Sequence, residues 1–267
     1  MEGITEFKRN GIHVMRIHYT ADPDKRTAEW MAGAKIGMTL QGWKKEMEID
    51  PTIKLGKAWY PEFRYDFHVA KEPLTPIYGR PMVSGWDYGL TPATLFGQTT
   101  AKAQLCILYP ELQSFDHGIL AHGRVVKSEM ATYFPGYTFT HFGDPAGNQR
   151  AQTDEKTANQ ILRDEHGITV LPGPVSFETR DNAIRKLLTM TTPDGQPMLL
   201  IDPRDSWLIG AFTGGYHRKE VAGRFLEDPE KNEYSHIMDC LGYIASMVYT
   251  VVERPKRNGP APKRGAI

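Results

Sequence analysis

An α/β fold, a mixed β-sheet flanked by helices, is the architecture this sequence predicts. Three observations lead there. Alternating apolar stretches cover about 81–87, 93–100 and 103–109, and the last two are joined by a short turn at Thr100-Ala101-Lys102. Helical and strand-like patterns then alternate for roughly a hundred residues, as in sheets covered by helices. The chain's last patterned segment, about 234–252, is an apolar helix.

Residues 1–75 differ in texture from the rest of the chain. Gly11 to Tyr19 alternates like a strand, and Ala21-Asp22-Pro23-Asp24 starts a helix that runs to about Met38. Thr39 to Ile49 predicts a second helix with Trp43 and Met47 on one face, while Leu55 to Val69 is aromatic and irregular. The stretch Lys71 to Arg80, broken by Pro73 and Pro76, is a connector. After the three strands come a helix at about 116–133 and a strand at 137–143. Next are a helix at 155–166, a short strand at 168–171, a helix at 180–190, a strand at 197–202 and a helix at 206–213. The opening order βββαβαβα is that of an RNase H-like fold. The expected organisation is a lead-in over 1–75, an RNase H-like domain over 76–253 and a basic tail over 254–267.

With 267 residues, 40% hydrophobic and 24% charged, the chain has enough material for a full core and the balance of a soluble protein. No apolar run reaches the roughly 20 residues that span a bilayer. Residues Met1 to Arg9 lack the apolar centre of a signal peptide. Two cysteines, Cys106 and Cys240, make neither a disulfide framework nor a four-cysteine zinc site, so a reducing intracellular setting is expected. The 32 basic and 32 acidic residues cancel, which does not by itself advertise nucleic-acid binding. The segment Arg254 to Arg264 is basic and rich in Pro and Gly; a solvated tail and a non-specific DNA-binding arm are both open readings.

Three aspartates carry the chemical signal. Asp87 ends Met82-Val83-Ser84-Gly85-Trp86, Asp144 ends Tyr137 to Gly143, and Asp239 lies inside the helical Ser235-His236-Ile237-Met238-Asp239-Cys240-Leu241. An aspartate at a strand end is also a natural turn or helix cap, which keeps a second reading open for Asp87 and Asp144. Asp239 resists that reading, because an unpaired carboxylate among apolar helical residues is costly. Together the three suit Mg²⁺ or Mn²⁺, with Asp87 as the bridging ligand, and a pair of such ions suits phosphodiester hydrolysis. His236, one turn before Asp239, and Asp202, which ends the strand at 197–202, are auxiliary candidates; a packing histidine and a cap are the alternatives. Arg150, Arg180, Arg185, Lys186, Arg218 and Lys219 are candidates for phosphate contact or for a solvated face. The glycines beside Asp87 and Asp144 (Gly85, Gly89, Gly143 and Gly147) are expected to let a phosphate backbone approach.

The blocks Gly85-Trp86-Asp87-Tyr88-Gly89, His141-Phe142-Gly143-Asp144-Pro145-Ala146-Gly147 and Lys231 to Tyr243 resemble the nuclease domain of tailed-phage large terminase subunits. Gly214-Gly215-Tyr216-His217 is similar too. His18 to Pro23 and Trp43 to Asp50 resemble the segment that joins the terminase ATPase to its nuclease. The resemblance covers about 11–253 and rests on the order and spacing of the blocks. It implies an endonuclease using two divalent cations, Mg²⁺ or Mn²⁺, that cuts concatemeric double-stranded viral DNA. Asp87, Asp144 and Asp239 match its catalytic acids, and Tyr216 to Leu226 matches a hairpin thought to gate the site. The implied partners are the terminase ATPase domain, the small terminase subunit and the portal, in the host cytoplasm during phage assembly. The chain departs from a complete large terminase in having no G-x-x-x-x-G-K-[ST] motif. Rival readings are a resolvase- or transposase-type nuclease of the same fold, an actin/Hsp70-type phosphotransferase and a non-catalytic DNA-binding module.

Overall fold

The structure is a computed structural model and describes residues 3–9, 12–35, 43–49, 57–89, 91–149, 156–222 and 224–252. Arg150 and the basic tail lie outside the described residues, as do parts of the two helices expected before residue 49.

The chain opens with an antiparallel hairpin of β1 (Ile4–Arg9) and β2 (Ile12–Ile17), followed by α1 (Ala28–Lys35). Of the two strands only β2 is anticipated by the sequence pattern, while α1 falls within the helix expected from Ala21 to about Met38. Tyr19, Trp30 and Trp43 gather into one aromatic cluster, with Tyr19 and Trp30 stacked at 5.4 Å between centroids. After α2 (Tyr65–His68) come three consecutive antiparallel strands, β3 (Met82–Asp87), β4 (Ala93–Thr99) and β5 (Leu105–Gln113). Next are α3 (Ile119–Tyr133), β6 (Phe139–Gly143), α4 (Ala158–Ile161), β7 (Val170–Pro172), α5 (Phe177–Thr189), β8 (Leu199–Ile201) and α6 (Ser206–Gly210). A second hairpin, β9 (Arg218–Val221) and β10 (Arg224–Pro229), leads into α7 (Glu233–Val252). The expected strand and helix order from residue 81 to α6 is the one observed, and the pattern gave no strands between α6 and α7. The hairpin 218–229 falls where the resemblance placed one.

Six strands form one sheet in the order β7-β6-β3-β4-β5-β8. β3–β4 and β4–β5 are antiparallel, and β3–β6, β6–β7 and β5–β8 are parallel. Side chains alternate between faces along β3. Met82 and Trp86 enter one core, with Phe96, Leu108, Val126, Phe134 and Leu162, beneath α3 and the turn that follows α4. On the other face Leu95, Ile107 and Leu199 pack against Ile184 and Leu187 of α5 and Ile237, Leu241 and Ile244 of α7. Two buried layers around one sheet make the mixed, helix-flanked RNase H-like architecture that the pattern predicts.

The expected boundary at residue 75 is crossed by packing. Trp59, Tyr60 and Val69 belong to the same core as the sheet. Ala58 bridges His217, and Val69 bridges Ile201. Trp59 donates its indole N–H to Asp181 Oδ1 at 2.6 Å. Residues 57–70 are thus built into the RNase H-like body, although their sequence shows no periodicity.

Candidate active site

Strand register sets the first two acids side by side. β3 and β6 are parallel neighbours in which Trp86 pairs with Gly143, so Asp87 and Asp144 leave adjacent strand ends together. The Asp144 amide donates to the Trp86 carbonyl at 3.2 Å, carrying the pairing one step beyond the strands.

Helix α7 delivers the third. Gly85 lies where α7 crosses β3, and a Cβ there would fall 2.0 Å from the Cys240 carbonyl oxygen. Only a bare backbone lets the helix lie that close to the strand. Asp87 is two residues beyond Gly85 and shares its face, while Asp239 directly precedes Cys240, so the same crossing brings both to one place. Asp87, Asp144 and Asp239 line a single open cavity of about 360 Å³, together with Lys231, Asn232, Ser235 and His236.

Each carboxylate has a partner. His236 Nδ1 donates to Asp87 Oδ2 at 2.7 Å. Arg180 donates to Asp239 Oδ1 at 3.2 Å, and Lys231 Nζ to Asp239 Oδ2 at 3.3 Å. Asp144 Oδ1 accepts the Ala146 amide at 2.8 Å and so caps the short turn of helix next to it. The capping reading therefore holds for Asp144 at the same time as its place in the cavity. Among the described residues no three His, Cys, Asp or Glu side chains stand at ligating distance from one point. The acids converge on one cavity, Asp239 against Arg180 and Lys231, Asp87 against His236, and Asp144 against a backbone amide.

Electrostatics at Asp87 reflect that crowding. It is buried, and burial first, with the nearby Asp239 and Asp144 carboxylates, pushes its carboxyl above the ordinary range while the His236 hydrogen bond pulls the other way. His236 is itself held above its ordinary value, chiefly by its bond to Asp87. Carboxyl oxygens are hard donors, the ligand type that suits Mg²⁺ or Mn²⁺.

The other expected residues are distributed differently. Asp202 does not reach the cavity. β8 is three strands from β3 across the sheet, and Asp202 is buried there as a cap, accepting from the Leu74 amide and pairing with Arg204 at 2.8 Å. Arg185 is engaged by Asp181, Glu62 and the Trp59 carbonyl, with its guanidinium over the Tyr60 ring. Lys186 sits on the exposed side of α5. Arg218 stacks over Trp59 at 5.1 Å, and Lys219 is exposed on the second hairpin. Arg180 is inside the site itself. The glycines expected to admit phosphate serve packing instead. A Cβ on Gly147 would strike the Tyr88 ring at 2.2 Å and one on Gly143 the Tyr88 hydroxyl at 2.9 Å, so these two accommodate Tyr88; only Gly89 faces open space.

Lys231, Asn232 and Ser235 belong to the third resembling block but carry no role predicted from sequence. Their signal was available in the spacing 232, 235, 236, 239, which is one helical face. Arg180 had no such signal, being 59 residues from its partner.

The sheet order makes an RNase H-like α/β fold. That fold is similar to those of large terminases and their nuclease domains. The chain superposes on the large terminase of the thermophilic bacteriophage D6E with a TM-score of 0.56 at 13% identity, over 87% of this chain and 60% of that one. It matches the P22 large terminase nuclease domain with a TM-score of 0.53 at 15% identity, over 73% of this chain and 94% of that domain. The chain thus spans about 60% of the length of the D6E protein. No protein-family model and no curated protein sequence matches it.

Proposed function

We propose that this chain is the nuclease portion of a viral genome-packaging terminase, a metal-dependent endonuclease acting on double-stranded DNA. The observation that carries the reading is the convergence of Asp87, Asp144 and Asp239 on one cavity at the strand ends of a terminase-nuclease sheet.

Asp87, Asp144 and Asp239 would hold two divalent cations, Mg²⁺ or Mn²⁺. When bound, such ions supply an activated water and charge stabilisation at the leaving oxygen. The chain's own residues set the stage for that chemistry. Asp87, at the end of the central β3, is the bridging candidate. His236 holds a proton on Nδ1 against Asp87 Oδ2 and fixes the direction of that carboxylate. The exposed Lys219 and the tail's basic residues would steer phosphate to the site, with Arg150 at the edge of the Asp144 loop in sequence. The ATPase domain, the small subunit and the portal are the proposed partners, in the host cytoplasm during phage assembly. No described helix is long and apolar enough to cross a membrane. In domain terms, 1–56 is a lead-in toward the motor and 57–252 the nuclease body.

Asp87→Ala tests the reading. It abolishes Mn²⁺- or Mg²⁺-dependent cleavage of linear duplex DNA while the protein stays folded, with a cooperative melt close to that of the parent. Undiminished cleavage by this variant defeats the site assignment.

A further inference from the structure

Asp239 has two cationic partners of different character. Lys231 reaches it from solvent with a side chain 71% exposed. Arg180 is 12% exposed and comes from the first turn of α5. Its guanidinium is held from several directions. One terminal nitrogen donates to the carbonyls of Pro174 and Val175, each at 3.0 Å. The other donates to Asp239 Oδ1 at 3.2 Å. The guanidinium carbon lies 4.8 Å from the centre of the Tyr243 ring.

The surroundings are shaped to admit this side chain. A Cβ on Gly242 would come within 3.0 Å of Arg180 Cβ and 3.3 Å of its Cδ, so the glycine leaves a groove in α7 along which the stem runs. A Cβ on Gly173 would stand 2.4 Å from Tyr243 Cδ1, so the loop lies flat on the ring that carries the guanidinium. That loop is tied to the other side of the site, for the Gly173 amide donates to the Gly143 carbonyl at 2.8 Å, one residue before Asp144.

We propose that Arg180 is the positioning residue for Asp239. It fixes one carboxylate oxygen and, through the loop at 173–175, ties the helix that carries Asp239 to the strand end that carries Asp144. The separation of two ligands that must share a pair of ions is thereby set before any ion arrives. The inference rests on the nuclease reading above. A planar fork with several donors is required; a lysine ammonium is a point donor and cannot span two carbonyls and a carboxylate at once. Residues that orient metal ligands commonly change metal affinity by about 10–100-fold when removed.

Binding of Mn²⁺ to the full chain, read from the loss of the free-ion EPR signal, tests the assignment with no reliance on turnover. Melting curves on the same samples report folding. Arg180→Met is expected to raise the Mn²⁺ half-saturation concentration at least about tenfold. Arg180→Lys keeps the charge and the stem, so it stays folded, and it is expected to weaken Mn²⁺ binding to a similar extent. A folded Arg180→Met that binds Mn²⁺ as tightly as the parent, or more tightly, shows a competing cation and overturns the assignment. Full recovery in Arg180→Lys overturns it too, since charge alone would then suffice, and this variant decides the matter if Arg180→Met does not fold. A parent that takes up no Mn²⁺ overturns the nuclease reading and the role of Arg180 together.

Discussion

Asp205 is fully buried, and neither carboxylate oxygen has a hydrogen-bond partner among the described residues. Burial first, then the charges of Glu111 and Asp202, push its carboxyl up to about 8. Glu111, which caps α6 through the Trp207 and Leu208 amides, is itself pushed up to about 7 by burial. A folded value above the unfolded one means that the group's contribution to stability is complete below about pH 4 and is lost as pH rises toward 8. Asp205→Asn removes the ionisation, so its gain over the parent is expected to grow from pH 4 to pH 8.5. The change is on the order of 3 kcal/mol, or about 5–10 °C in melting temperature. Paired melts at the two pH values check this; a difference between variant and parent that is the same at both speaks against it. At this scale the sequence was most informative where a residue violated its surroundings. Asp239, a carboxylate within an apolar helix, could be picked out by that cost alone. Asp202, at a strand end, was open to two readings, auxiliary ligand or cap, and the structure has the cap, closed by an arginine two residues on.

Between elements, the crossing of α7 over β3 decides whether there is a site at all. Gly85 permits a backbone-to-backbone approach that any side chain would block. Gly85→Ala forces the Cys240 turn outward, and overpacking of this kind costs about 3 kcal/mol or more. The expected result is a clear fall in melting temperature together with loss of cleavage, even with all three acids present. An alanine variant with parental stability and activity contradicts the packing described. Element existence was legible from periodicity, and the adjacency of Asp87 and Asp144 was settled once β3 and β6 were parallel neighbours. The role of the glycines was not legible, because a sequence shows that a small residue is needed and not what fills the space. Gly143 and Gly147 make room for Tyr88, whose hydroxyl donates to Asn159 at 2.6 Å.

For the molecule as a whole, the sheet is completed by a segment that looks like a linker. Trp59, Tyr60 and Val69 close the core over α5 and α6, and Phe63 stacks on Phe212 at 4.6 Å. A chain begun at residue 76 is expected not to fold, since losing even one such aromatic typically costs about 3–5 kcal/mol. A chain begun at residue 57 is expected to melt cooperatively. Circular dichroism melts of the two truncations separate these outcomes; a stable, cooperative 76–252 fragment refutes the boundary. Nothing local marks residues 57–70 as core. Their partners lie more than a hundred residues away, as with Trp59 and Asp181. The central claim, that three acids from two strand ends and a late helix form a cation site, is tested most directly by Mn²⁺ anomalous scattering from soaked crystals. Peaks ligated by Asp87, Asp144 and Asp239, with Asp87 shared, are the expected result; Mn²⁺ bound elsewhere, or no peak in the cavity at saturating metal, contradicts it.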